Sequence, residues 1–244
     1  MRVAILSDIH GNLVALEAVL AALEREPVDR VVSLGDVAVT GPQPHEALQR
    51  LYAVGPLTVM GNTDAWLLDP REHPTSSEDE RRLLDIELWS ARQLTPADLA
   101  LVRAFQPTLE IPLRAGATLL CCHGSPRSNT EGLHAALPDA ALAEALAGRH
   151  ATVVAGGHTH TPLVRRYQDM LVLNPGSVGL PVDFPAPGRV RNPPWAEYAI
   201  IESTRHALQV TLCRVPVDVQ ELRRIAHVSG MPHAEWYLKD WVTG

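Results

Sequence analysis

The stretch Arg2-Val3-Ala4-Ile5-Leu6-Ser7-Asp8-Ile9-His10-Gly11-Asn12 decides the fold of this chain. Its apolar run, Val3 to Leu6, predicts a strand buried on both faces. In open α/β sheets, ligands bind at the carboxyl ends of the strands. Asp8 and His10 place a carboxylate and an imidazole two residues apart at such an end, so both could bind one metal ion. The alternative is that Asp8 only caps the next helix and His10 is a loop residue.

Composition narrows the class of protein. The chain has 244 residues, 46% of them hydrophobic, which is enough for one large α/β domain spanning residues 1–244. Because no apolar run approaches the ~20 residues that span a bilayer, and no leader precedes the first strand, we predict a cytoplasmic protein that does not bind membranes. Three cysteines predict no disulfide framework. The net charge of -7 argues against nonspecific nucleic-acid binding, which needs a basic surface.

Successive strands are predicted to end in polar residues. The elements predicted in this part of the chain are a helix over Leu13–Arg25 and strands over residues 30–34 and 57–60. A β-α-β order implies parallel strands with a right-handed crossover. Asp36 and Asn62 follow the second and third strands, so we expect them beside Asp8 at one edge of the sheet.

The remainder predicts a helical excursion and further strands. The excursion covers about residues 65–106, and its predicted inward stripe is Leu83, Ile86 and Trp89. Further strands are predicted over residues 108–113, 117–122 and 152–155, and they lead into His123 and Gly156-Gly157-His158-Thr159-His160. A β meander over about residues 162–214 is expected to form a second sheet packed on the first. A proline-rich loop, residues 181–194, is expected to be mobile or to contact a partner.

The strand ends together supply seven nitrogen and oxygen donors: Asp8, His10, Asp36, Asn62, His123, His158 and His160. Seven donors are too many for one transition metal, but they suit two ions that share a bridging carboxylate. The absence of a thiolate among them argues against a structural zinc site. Each donor also has an ordinary alternative: a solvated turn for the two histidines of the glycine loop, a turn residue for Asn62, and a buried side chain for His123.

These motifs, in this order, resemble those of the calcineurin-like metallophosphoesterases. Asp8-Ile9-His10-Gly11-Asn12 and Asn174-Pro175-Gly176-Ser177 resemble the compact prokaryotic phosphodiesterase branch. The resemblance implies an α/β fold, a four-layer α-β-β-α sandwich of two mixed sheets flanked by helices, with a dinuclear metal site at the strand C-terminal ends.

The resemblance also implies a division of the donors between two divalent ions. The first ion would be held by Asp8, His10 and His160, the second by Asn62, His123 and His158, and Asp36 would bridge them. A hydroxide bridging the ions would then attack phosphorus in line. Mixed nitrogen and oxygen ligation admits manganese, iron, zinc or nickel, and we favour manganese.

Thr63 departs from the family pattern. It stands where the family often has a histidine that protonates the leaving group. Threonine cannot give up a proton near neutral pH, so that contribution, roughly 10²- to 10⁴-fold, must be absent or come from elsewhere. Asp64 remains without the histidine it would orient, and it is kept as a catalytic candidate with Asp36 and Asn62. His45 is a candidate substitute for the acid.

We therefore expect a metal-dependent phosphoesterase that hydrolyses phosphodiesters, with a small phosphate ester or nucleotide as substrate. Asn12 and Asn62 are the predicted substrate contacts. The alternatives are a phosphoprotein or other phosphomonoester phosphatase, a dinucleoside polyphosphate hydrolase, and a catalytically weak scaffold of the same fold. Specificity is expected from the excursion and from loops 41–45 and 181–194. The C-terminal aromatic residues are predicted packing anchors, with a homodimer contact as the alternative: Trp236, Tyr237 and Trp241.

Overall fold

Two five-stranded mixed sheets form the centre of the computed structural model, which describes residues 1–186 and 188–242. The strands are β1 (Arg2–Leu6), β2 (Arg30–Ser33), β3 (Leu57–Thr58), β4 (Leu109–Pro112), β5 (Thr118–Cys121), β6 (Val153–Ala155), β7 (Leu163–Tyr167), β8 (Met170–Asn174), β9 (Asp183–Ala186), β10 (Arg189–Arg191), β11 (Trp195–Ser203) and β12 (Leu208–Pro216). The helices are α1 (Leu13–Arg25), α2 (Pro44–Val54), α3 (Asn62–Leu67), α4 (Glu78–Gln93), α5 (Pro96–Arg103), α6 (Asp139–Leu146), α7 (Val219–Val228) and α8 (Ala234–Leu238).

The order of strands brings the predicted strand ends together. The first sheet has the order β12-β11-β1-β2-β3, in which β1, β2 and β3 are parallel. The second sheet has the order β4-β5-β6-β8-β7, in which β5, β6 and β8 are parallel. The carboxyl ends of neighbouring parallel strands lie at the same edge of a sheet, so each sheet gathers its polar residues at one edge.

Alternation along the strands builds the four layers. In β1, Val3 and Ile5 pack in a core shared with the second sheet, whereas Ala4 and Leu6 pack in a core shared with α1 and α2. In β5, Cys121 faces the shared core and Leu120 packs in the core that contains α6. Because successive side chains of a strand point to opposite faces, each sheet is buried on both sides. The predicted α-β-β-α sandwich is confirmed.

The predicted C-terminal meander does not form one second sheet. Strands β7 and β8 belong to the second sheet, but β11 pairs antiparallel with β1, and β12 follows it at the edge of the first sheet. The physical reason is that β11 is buried along almost its whole length, which suits a position inside a sheet beside β1. The proline-rich loop contains the hairpin of β9 and β10, and Pro187 lies outside the described residues.

The buried face of α4, in the helical excursion, differs in part from the predicted inward stripe. Leu84 and Ile86 are buried, whereas Leu83 and Trp89 are only partly buried. The aromatic anchors behave as predicted, because Tyr237 and Trp241 are buried and Trp236 packs against the same cluster as Ile86. Among the described helices, none has the length and apolarity that crossing a membrane requires.

Candidate metal centre

The predicted ligands lie on backbone turns that ordinary side chains rarely adopt. Five of the seven have a positive φ between 49° and 63°: Asp8, His10, Asp36, His158 and His160. Such a conformation costs energy for residues with a Cβ atom and persists only when the surrounding structure holds it. Strained turns of this kind concentrate at functional sites.

Two glycines let the strand ends approach one another. A Cβ atom on Gly61 would lie 2.1 Å from Asp36 Oδ1, and one on Gly157 would lie 2.8 Å from Asp8 Oδ2. Any larger residue at either position would push a carboxylate out of place. Each aspartate is therefore packed against the backbone of another strand end.

The side chains form two neighbouring groups. In the first, the ligand atoms of Asp8, His10 and His160 lie within 4.8 Å of one another, and in the second those of Asp36, His123 and His158 do. His10 Nε2 lies 3.8 Å from Asp36 Oδ2, and His123 Nε2 lies 3.4 Å from the same oxygen. Asp36 thus faces both groups, which is the position expected for a bridging carboxylate.

The hydrogen bonds orient these histidines as metal ligands. Nδ1 of His10, His123 and His160 lies 2.9, 2.8 and 2.7 Å from the carbonyl oxygens of Val39, Leu34 and Leu180. A carbonyl only accepts, so each Nδ1 carries a proton and Nε2 points into the centre. Metal-bound histidines are commonly held by such a bond from their other nitrogen.

Two further observations fit divalent cations. Asp8 Oδ2 accepts from Ser7 Oγ and from the His158 backbone, but Oδ1 is buried and has no hydrogen-bond partner in the described part of the chain. His10 Nε2 and His160 Nε2 lie 3.1 Å apart, so in their neutral forms two lone pairs would face each other. A cation bound between these atoms would pair with Asp8 Oδ1 and with both nitrogen lone pairs.

Ionisation at the centre is governed by burial and by the neighbouring groups. Burial would raise the pKa of Asp8, but the charges of His160, whose Nε2 lies 3.2 Å from Oδ1, and of His123 outweigh it and lower the pKa to about 2. Burial opposes ionisation of Asp36 as well, yet His123 holds its pKa well below the usual range. Conversely, the pKa values of His123 and His160 are raised against burial by these carboxylates. Burial and neighbouring histidines lower the pKa of His10 and His158.

Asn62 and Asp64 lie at the start of α3 with different surroundings. Asn62 Oδ1 lies 2.9 Å from His123 Nε2, so Asn62 belongs to the second group. Asp64 is fully buried and accepts from the backbone nitrogens of Asp36 (2.7 Å), Val37 (3.0 Å) and Gly61 (3.0 Å). Burial and the charge of Asp36 raise the pKa of Asp64 to about 6. Asp64 therefore holds the turn that carries Asp36, and a catalytic role for Asp64 stays a prediction.

Two other predicted candidates are engaged elsewhere. Asn12 is fully buried, accepts from Ala15 N at 3.0 Å as the cap of α1, and donates to Gly179 O at 2.9 Å. Both of its amide atoms are used inside the protein, so Asn12 is not kept among the proposed substrate contacts. His45 Nδ1 lies 2.8 Å from Asp98 Oδ2, which ties α2 to α5, and His45 is in neither ligand group.

Glu87 on α4 is a further candidate that the sequence analysis did not name. Ser90 Oγ, one turn further along, accepts from Thr40 N at 3.4 Å, which places this helix against the loop that follows Asp36. Burial raises the pKa of Glu87 to about 7, and the charge of Asp36 adds to this increase. His73 lowers this pKa but does not outweigh burial. The sequence gives no signal for it, because α4 begins with several acidic residues of the same kind.

The fold and the paired ligand groups define the class of a metallophosphoesterase, and comparison with known proteins agrees. The chain belongs to the calcineurin-like phosphoesterase superfamily, whose domain model matches residues 1–202. The family prediction made from the sequence is therefore confirmed, and the family is metal-dependent.

Individual relatives cover nearly the whole chain. A metallophosphoesterase of Sphaerobacter thermophilus is 27% identical, covers 98% of both chains and superposes with a TM-score of 0.75. A hypothetical protein of Pyrococcus horikoshii shares the fold, with 19% identity, 98% and 96% coverage, and a TM-score of 0.77. An uncharacterized protein of Methanocaldococcus jannaschii is 24% identical over 226 residues, which is 90% of this chain and 89% of that protein.

Proposed function

We propose that this protein is a dinuclear metal-dependent phosphoesterase that hydrolyses phosphodiesters of small molecules or nucleotides. One observation carries the proposal: two groups of carboxylate and imidazole ligands, each with two buried members and one partly buried member, lie side by side, and Asp36 faces both. Asp8, His10 and His160 would hold one ion, and Asn62, His123 and His158 the other. Manganese remains the favoured metal, and the cytoplasmic location and homodimer remain predictions.

The charges of these ligands suit an anionic substrate. Two bound divalent ions would lower the pKa of a water between them and neutralise charge on the phosphate. Asp8 and Asp36 would offset only half of the ionic charge, which leaves about +2 in an acidic protein. His158 is the partly exposed member of the second group, so its ring lies on the side from which substrate enters. The Asn62 amide nitrogen is the proposed donor to a phosphate oxygen.

Thr63 supplies no proton to the leaving group. Its backbone nitrogen donates to Asp36 Oδ1 at 2.9 Å, and its hydroxyl oxygen is buried. We propose Glu87 as the acid, because α4 lies over the loop that follows Asp36. Glu87→Gln should then slow hydrolysis of alkyl esters by roughly 10²-fold and of p-nitrophenyl esters far less, since nitrophenolate leaves without a proton. An equal effect on both would show that Glu87 is not the donor.

Metal reconstitution tests the proposal. The full-length protein is stripped with a chelator, reloaded with manganese, iron, zinc or nickel, and assayed with methyl p-nitrophenyl phosphate and p-nitrophenyl phosphate. We expect turnover to depend on the metal and to favour the diester. Preference for the monoester would favour a phosphatase, and absence of turnover with every metal would favour the catalytically weak scaffold.

A further inference from the structure

A cleft of about 280 Å³ opens beside the second ligand group. One wall begins with Met60, which directly precedes Gly61-Asn62. Met60 N donates to Gln106 O at 2.8 Å, so the chain segment 105–107 runs along the end of β3. This pairing places Phe105 and Pro107 in the same wall as Met60.

The opposite wall comes from the loop that follows β5. His123 lines the cleft, together with residues 125–129. Asn129 Nδ2 donates to Gly61 O at 3.2 Å, which holds this loop against the start of α3. The cleft therefore lies between the ends of β3 and β5, where Asn62 and His123 meet.

The lining combines apolar faces with polar edges. The apolar side chains are Met60, Phe105, Pro107 and Pro126, and the polar ones are Ser125, Ser128 and Asn129. Flat ring systems bind between apolar faces, and the hydrogen-bonding edges of a nucleobase need a few polar groups. The volume lies just below the usual range of about 300–1,000 Å³ for ligand pockets, which suits one ring system and not a folded peptide.

The charges of the cleft disfavour a second phosphate. Arg127 is the basic residue in the lining, and its Nε and Nη2 lie 2.9 and 2.5 Å from the carboxylate of Glu131. The pKa of Glu131 is lowered to about 2 by Arg127 and Ser125, so this pair stays ionised and mutually neutralised near pH 7. A polyphosphate chain would find no free cation here.

We infer that this cleft binds the nucleobase of a nucleoside that is esterified to the phosphate, so that nucleoside phosphodiesters are the proposed substrate class. This inference rests on the proposed function, because the aromatic group is placed relative to a phosphate at the metal centre. Specificity was expected from the excursion over about residues 65–106 and from loops 41–45 and 181–194. The inference narrows the part of the excursion to its end, residues 105–106, and adds Pro107 and the 125–129 segment.

The test compares two diesters that share one leaving group, thymidine 5′-(p-nitrophenyl phosphate) and methyl p-nitrophenyl phosphate. Binding of their products, thymidine 5′-monophosphate and methyl phosphate, is measured separately by calorimetry on the metal-loaded, full-length protein. The chain has only two phenylalanines, so Phe105→Ala has a matched control in Phe184→Ala, whose ring is 66% exposed on β9. If Phe105→Ala fails to fold, Phe105→Leu replaces it, because leucine keeps apolar volume but has no aromatic ring.

We expect the thymidine ester to have the higher kcat/KM and its product the tighter binding, each by about tenfold, as one aromatic stack provides. Phe105→Ala and Phe105→Leu should remove this preference by lowering kcat/KM for the thymidine ester more than for the methyl ester, and Phe184→Ala should leave the preference intact. Equal values for the two ligands, or a preference lost only in Phe184→Ala, would overturn the inference. Tighter binding of the nucleotide without turnover of either ester would overturn the proposed function but leave the cleft as a nucleoside site.

Discussion

Asp64 and Asp98 occupy the same position in two helices, but their other hydrogen-bond partners differ. Each is the third residue of its helix, α3 or α5, each is fully buried, and each accepts a hydrogen bond from the backbone at the start of that helix. Asp64 also accepts from the backbone of Asp36 and Val37. Asp98 instead lies within hydrogen-bond distance of Thr95, His45 and Gln49.

Their pKa values move in opposite directions from the same ordinary value. Burial raises both, and at Asp64 the charge of Asp36 adds to it, so the pKa reaches about 6. At Asp98 the hydrogen bonds of Thr95, His45 and Gln49 outweigh burial and lower the pKa to about 2. The same sequence signature is therefore a stabilising cap in α5 and an electrostatic cost in α3. That cost is expected where a fold supports a functional site.

The largest effect should come from Asp36→Asn, which removes the charge that distinguishes the two aspartates. The variant loses the carboxylate that faces both ligand groups, so kcat/KM for methyl p-nitrophenyl phosphate should fall at least about 10³-fold. Bound metal, measured by plasma emission spectroscopy, should fall below two ions per chain. Asp98→Asn is the control and should keep both ions; full activity and two ions in Asp36→Asn would disprove the bridging role.

Asp64→Asn should have the next largest effect, since it acts on Asp36 through the backbone. An amide NH₂ cannot accept a hydrogen bond, so at least one of the three backbone donors loses its partner. Loss of such a supporting bond typically costs 10- to 100-fold in metal affinity or activity. Titration of metal into stripped protein measures it. The same affinity in Asp64→Asn and Asp98→Asn would mean that both aspartates are only helix caps.

The grouping of these side chains could be predicted from the sequence because parallel strands bring their carboxyl ends together. Asp8, Asp36 and His123 could each be found from an apolar run followed by a polar residue. Asn12 could not be assigned, since the same residue after a strand can cap a helix or contact a ligand, and only the two hydrogen bonds decide. Glu87, the proposed acid, could not be found from the sequence, because its position relative to Asp36 depends on how α4 packs.

Sheet membership was the weaker part of the fold prediction. A strand buried on both faces has the same sequence pattern in either sheet, so the pattern of β11 does not say that it pairs with β1. The sequence also does not decide between Leu83 and Leu84, because the two are adjacent on α4. Ile86 was predicted to face inward, and it packs with the C-terminal helices.

Asp98→Ala should affect stability and leave activity unchanged. The variant removes the acceptor that joins the start of α5 to His45 and Gln49 on α2. Loss of a helix cap costs about 0.5–2 kcal/mol of unfolding free energy, and the buried network places this case at the upper end. Urea denaturation measures it. Asp218→Ala, which removes the exposed cap of α7, is the matched control and should cost less; an equal cost would show that the network adds nothing.

The smallest effect should be a pair of opposite pH dependences in the stability of the stripped protein. The folded pKa of Asp98, about 2, lies below its ordinary 3.8, so its contribution is full above 3.8 and is lost as pH falls through 2. The folded pKa of Asp64, about 6, lies above 3.8, so stability declines as pH rises from 3.8 to 6. Urea midpoints across this range should lose the acidic slope in Asp98→Asn and the upper slope in Asp64→Asn. Saturating metal should weaken the Asp64 slope in part, because cations beside Asp36 offset the charge that adds to burial in raising the Asp64 pKa. A slope that Asp64→Asn leaves unchanged would show that Asp64 does not cause it.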